Sequence, residues 1–204
     1  MSVTLHELAV DLGRQGREAV TLSMPELFYR SINASERGPC LDWCGEVLLT
    51  DLASDDSAPV RGGAVEFLTI RLGEEPVASV LDSYSSAAEH FAGLFDGCRL
   101  ADDVQEQFDA MVVNDALIVL DVFVAEPLRG RRVAAWAVSE IAYRMLPAIN
   151  GIVLLAPGLG VEGGNDIGMR KLTRYWRRTG LHPDRGLTGV LGPVDRLHVP
   201  ERGS

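Results

Sequence analysis

The clearest pattern in this chain lies between residues 115 and 157, where two apolar runs flank an amphipathic segment. Residues 115–125, DALIVLDVFVA, are rich in Val, Ile and Leu with few polar interruptions, which predicts a central strand buried on both faces. In the following EPLRGRRVAAWAVSEIAYRML, the residues Ala134, Val138, Ile141 and Met145 recur at three- and four-residue intervals. That period predicts a helix, ended by Pro147 and Asn150-Gly151. GIVLLAP, residues 151–157, predicts a second buried strand. Strand, helix and strand in about 40 residues imply a crossover between parallel neighbours.

Elsewhere the patterns are shorter. Leu5, Leu8, Ala9 and Leu12 predict a helix over 4–13, and a strand is expected near 18–22. Ser23, Pro25 and Glu26 supply a polar cap, a first-turn proline and an acidic first turn for a helix that ends by Gly38-Pro39. CGEVLLTDL (44–52) predicts a strand, and SDDSAP (54–59) a surface loop. AVEFLTIRL (64–72) and PVASVLDSY (76–84), joined by Gly73-Glu74-Glu75-Pro76, predict a β-hairpin. Residues 85–110 are expected to be helical in two pieces broken at Gly97. Downstream, the glycine-rich segment Gly158 to Gly164 leads into a helix from about Ile167 to Thr179, stopped by Gly180 and Pro183, and short β-runs at 187–191 and 194–199 follow.

A length of 204 residues suits one substantial core, so a single domain is expected. The opening MSVTLHELAVDLGRQG carries Glu7 and Asp11 where a secretory leader has an apolar stretch, and no apolar run approaches the roughly 20 residues that cross a bilayer. The expectation is a cytoplasmic protein with no membrane partner. Cys40, Cys44 and Cys98 are too few and too irregular for a disulfide framework, and no second ligand pair completes a metal site with Cys40 and Cys44. A formal charge of −10 repels phosphate backbones, which disfavours nucleic acid as a partner. Arg170, Lys171, Arg174, Arg177 and Arg178 form a local basic exception, read as a solvated helical face.

Candidate chemistry enters at the junction between the strand ending at Ala125 and the helix beginning near Arg131. The first N–H groups of a helix have no partner within it, and the helix dipole adds partial positive charge, so the pair of effects receives phosphate oxygens. Gly130 permits close approach, and Arg129, Arg131 and Arg132 supply charge. An ordinary strand-to-helix turn with solvated arginines accounts for the same residues.

The run LDVFVAEPLRGRRVAAWAVSEI resembles the acyl-CoA-binding motif of the GCN5-related N-acetyltransferases, in which a strand leads into Arg/Gln-x-x-Gly-x-Gly/Ala and a helix. GIVLLAP and RKLTRYWRRTGLHP are similar to the family's next strand and following helix, so the resemblance spans residues 115–183. Arg129, Val133 and Ala134 match the motif, whereas Arg132 stands where the central Gly is usual. Counting back from Gly180-Leu181 places Trp176, not Tyr175, where many relatives carry the tyrosine that protonates the CoA thiolate. Residues 1–60 do not share in the resemblance, and 85–110 read as a helical insertion.

The resemblance implies an α+β fold with a mixed, mostly antiparallel central sheet flanked by helices and a parallel crossover. It implies acetyl-CoA as acyl donor and direct transfer to a primary amine of a small molecule, peptide or protein. The donor would lie against Val122, Phe123 and Val124 and against Arg129, Gly130, Arg131, Arg132, Val133, Ala134 and Ala135. Asp121 and Glu126, with Glu66 as a third candidate, are the carboxylates able to accept the amine proton, and Tyr175 is the candidate acid. A buried Asp121 requires a partner or a cleft. The alternative is a catalytically inactive relative serving as an acyl-CoA-binding or protein-interaction module. A homodimer is expected only because dimers are the commonest soluble assembly and are frequent in that family.

Overall fold

The computed structural model describes residues 3–4, 22–33, 40–52, 58–108, 112–147, 150–155, 166–177, 182–183 and 190–193. Its centre is a mixed, mostly antiparallel sheet with helices on both faces. The strands are β1 (Val3–Thr4), β2 (Glu26–Asn33), β3 (Cys40–Leu49), β4 (Val60–Arg71), β7 (Asp115–Val124), β8 (Gly151–Leu155), β9 (His182–Pro183) and β10 (Val190–Pro193). Their order is β2-β3-β4-β7-β8-β10-β9, and β1 runs parallel to β4 at Val60 and Arg61. A separate two-stranded ribbon joins β5 (Phe95–Asp96) to β6 (Arg99–Leu100).

The expected central strand is β7, and β8 pairs with it in parallel from Asp115↔Gly151 to Val119↔Leu155. The crossover between them contains a helix over Val133–Met145. Both faces of β8 and of residues 116–119 of β7 are covered, so their residues alternate between two cores. The expected two-sided burial does not extend to the C-terminal half of β7, where Asp121 and Phe123 are exposed. Ile118, Ile152 and Leu154 pack with Leu68, Ile70 and the helical segment of residues 77–108. Leu117, Val119, Val153 and Leu155 pack with Phe67, Trp136, Val138 and Ile141 on the opposite face.

Two local readings are corrected. Residues 26–33 form the edge strand β2, not a helix, and Ser23 caps nothing: its amide donates to the Thr50 carbonyl and its hydroxyl accepts from the Thr50 amide. Leu27 and Tyr29 are half-buried while Phe28 is 58% exposed, an alternation of period two that pairing with β3 makes decisive. The second arm of the expected hairpin is instead a helix, α1 (Val77–Tyr84), with Pro76 at its N-cap. Val77 and Leu81, four residues apart, are buried on one face.

Residues 85–108 contain only short turns of helix, α2 (Ser86–Glu89), α3 (Asp102–Gln105) and two 3₁₀ segments. Gly97, with φ +57°, closes the β5–β6 turn between them. The helix of the crossover is named α4 (Val133–Met145), and the last helix α5 (Asp166–Arg177). Of the helix expected over 4–13 only Thr4 is described, and it lies in β1. Residues 5–13, most of the strand near 18–22, the glycine-rich segment 158–164 and the run 194–199 lie outside the described residues, as do parts of the loop 54–59 and of the run 187–191. No helix among the described residues is long and apolar enough to cross a membrane.

Candidate functional site

The sheet changes character at the C-terminal half of β7. Its register with β4 passes from Phe67↔Val119 to Glu66↔Asp121, so Leu120 is an extra residue in a β-bulge. The described pairing with β8 ends at the same level, at Val119↔Leu155. Ala125 donates its amide to the Gly62 carbonyl on the β4 side. In an antiparallel pair successive residues turn their backbone groups to opposite edges, so those of Val122 and Val124 face away from β4. The Val124 carbonyl accepts a 3.2 Å bond from Arg129 Nε there.

After β7 the chain makes one 3₁₀ turn, Glu126–Leu128, anchored by the buried Leu128. Gly130 then takes φ +80° and Arg132 φ +59°. Alternation of right- and left-handed residues turns successive N–H groups toward one side, a geometry suited to anions. Arg132 occupies the N-cap of α4 in that conformation, which explains why glycine is the residue expected there: a side chain costs about 1–2 kcal/mol. Among the described residues, the amides of Val133 and Ala134 have no hydrogen-bond partner at the start of the 13-residue α4.

These features line one cavity of about 850 Å³. Asp121, Val122, Phe123 and Val124 form one wall, and Arg129, Gly130, Arg132, Val133 and Ala134 form its end. Leu172, Tyr175 and Trp176 of α5 stand across from them. Asp121 is exposed to this cleft, and Phe123 is 51% exposed. Glu66 sits directly across from Asp121 in the β4–β7 register and is also exposed, so the two carboxylates are neighbours on one sheet face.

Glu66 and three further expected site residues do not line the cavity. Glu126 is exposed at the start of the 3₁₀ turn, whose geometry directs its backbone carbonyl to the Arg129 amide. Arg131 is exposed, and its amide donates to the Leu128 carbonyl at 3.3 Å. Ala135 is buried, and its amide donates a 2.8 Å bond to the Tyr175 hydroxyl, so that amide is occupied by a protein oxygen.

The pair Tyr175 and Trp176 divides two tasks. Trp176 is 1% exposed and packs in the core between sheet and α4, while Tyr175 meets it edge-on with ring centroids 5.0 Å apart. The Tyr175 hydroxyl reaches the start of α4, forty positions earlier in the chain. Burial holds its phenol above the usual value near 10, with the Ala135 bond and the Arg132 charge opposing. It is therefore a neutral hydroxyl at physiological pH. Leu128 and Leu172 were not legible as site residues; Leu172 carried one cue, its i, i+3 and i+4 spacing to Tyr175 and Trp176.

No family model matches the chain, and no match was found among the curated proteins. One solved structure, that of a mutant of KacT, is similar to it with a TM-score of 0.37 and 9% sequence identity, over 83% of this chain and 95% of that one. A TM-score this low leaves the fold described above to stand on its own coordinates.

Proposed function

We propose that this chain is an acetyl-CoA-dependent N-acyltransferase of the GCN5-related type, acting on a primary amine. The observation that carries the reading is a cavity that joins the C-terminal half of β7, which has no partner on its β8 side among the described residues, to the left-handed turn at the start of α4. A pantetheine-like arm is elongated and bears amides, so it suits a strand edge whose backbone groups have no strand partner among the described residues. A diphosphate suits a turn with two unpartnered amides and the adjacent Arg129 and Arg132.

The thioester supplies an activated acyl carbon when bound. In this reading Asp121, directly or through a water, takes the proton that an ammonium must lose before its nitrogen can attack. The backbone N–H of Val122, turned away from β4, is the donor for the carbonyl oxygen as charge develops. Tyr175, whose phenol is protonated at neutral pH and holds its proton more tightly because it is buried, supplies a proton to sulfur as the carbon–sulfur bond breaks. A carbon–nitrogen bond forms as the carbon–sulfur bond breaks. The ammonium gives one proton to Asp121 before attack; a second, from the same nitrogen as the amide forms, returns through solvent to the Tyr175 oxygen that protonated sulfur. One proton, passed on from Asp121, is thereby released to solvent.

Isothermal titration with acetyl-CoA, followed by detection of free thiol with a panel of amines, tests the reading. Saturable binding and amine-dependent thiol release are expected. Binding without release for every amine would select the inactive acyl-CoA-binding module instead, and absence of binding would remove both.

A further inference from the structure

The hydrogen bond between the Ala135 amide and the Tyr175 hydroxyl joins the two ends of the candidate site. Ala135 is the third residue of α4, so its N–H is one of the few at the helix start without an intrahelical acceptor. The next amide, on Trp136, already donates to the Arg132 carbonyl at 3.0 Å. The amides of Val133 and Ala134 are left without a partner among the described residues, and both residues line the cavity with Tyr175.

Resting on the acyl-CoA reading above, we infer that the Tyr175 hydroxyl is an internal stand-in for a ligand oxygen at the start of α4, displaced when a diphosphate seats there. Three observations support it. The hydroxyl oxygen sits at 2.8 Å, the separation of a well-formed N–H···O bond. Tyr175 belongs to a different element, so its withdrawal does not require loss of the helix it contacts. An anionic phosphate oxygen is a stronger acceptor for that amide than a neutral hydroxyl, roughly twice as strong by general comparison, so exchange is favourable.

The consequence is coupling. While the cavity is empty the phenol is held against the helix; once an anion takes the amide, the same hydroxyl is free to turn toward the rest of the cleft. The residue proposed to protonate the departing sulfur would then be released by the seating of the donor's diphosphate. A different molecule bearing only the diphosphate would release it as well.

Calorimetric titration of the full chain with CoA, with wild type and Tyr175→Phe side by side, tests this. Tyr175→Phe removes the competing oxygen and keeps the ring, so its affinity for CoA is expected to rise about threefold to tenfold, the range of one neutral hydrogen bond. Amide hydrogen exchange supplies the second readout. The Ala135 amide should be protected in free wild type, exposed in free Tyr175→Phe, and protected again in both when CoA is bound. Wild type that binds CoA with a variant that binds equally or more weakly would overturn the stand-in while leaving the acyl-CoA reading intact. Failure of both proteins to bind CoA would overturn both. An Ala135 amide equally protected in free wild type and free variant would also overturn it.

Discussion

A Cβ on Gly63 would stand 2.7 Å from the carbonyl oxygen of Phe123. The close approach of β4 to β7 beside the cavity therefore depends on a residue without a side chain. Gly63→Ala is expected to destabilise the chain by about 1–3 kcal/mol, because backbone, not a movable side-chain end, must give way. Gly73→Ala is the comparison: its φ of +100° is strained for alanine, but nothing lies within 4 Å of the added atom. Its cost should be about 1–2 kcal/mol from conformation alone. Urea denaturation of both variants gives the test, and a loss at Gly63 below about 1 kcal/mol would contradict the close approach.

Arg132 combines a left-handed backbone with a charge facing the cavity. Arg132→Gly relieves the conformation but adds unfolded-state entropy, for a net gain of roughly 0–1 kcal/mol. CoA affinity should fall at the same time, as a cation is lost. Thermal melting and titration on one preparation check the opposite signs; a variant that is markedly less stable would show that the arginine side chain itself holds the turn.

Arg129 ties the end of β7 to the turn through its bond to the Val124 carbonyl. Arg129→Ala is expected to weaken CoA binding about tenfold, the order of one charge-assisted contact. The deficit should shrink as salt rises, because the lost interaction is exposed and screened. A deficit independent of ionic strength would assign the residue a purely structural part.

Burial raises the phenol pKa of both Tyr29 and Tyr175 above the usual value near 10. A raised folded-state value means that the folded chain holds the proton more tightly than the unfolded one. The stabilisation is therefore fully present below pH 10 and is lost as the pH rises through the higher folded values. Denaturation curves from about pH 8 upward should show a tyrosine contribution to stability that declines only beyond about pH 10. The decline should be reduced in a Tyr29→Phe, Tyr175→Phe double variant.

Cys44 is buried, and desolvation raises its thiol pKa. A raised value leaves little thiolate for reaction. Of the three free thiols, Cys98 alone is partly exposed. Alkylation of the folded chain near neutral pH should label Cys98 first, with Cys40 and Cys44 labelled only on unfolding; peptide mapping reads this directly.

The sequence alone determined the segments in which period and burial agree. The apolar run of β7, the spacing of Val138, Ile141 and Met145 in α4, and the run of β8 need no neighbour to be read, because both faces of those strands and one face of that helix must be covered. The Arg- and Gly-containing turn between β7 and α4 was legible for the same reason: it is local. What only tertiary structure decided is whatever depends on a distant partner. Residues 26–33 carry helix-start cues and lie in a strand because β3 pairs with them. Residues 77–84 carry strand-forming residues and coil into α1 because Val77 and Leu81 share a buried face. Tyr175 and Trp176 are adjacent in sequence, yet one closes the core and the other reaches Ala135. About 100° of helical rotation separates neighbours, and which side meets the sheet is set by docking, which no local pattern records.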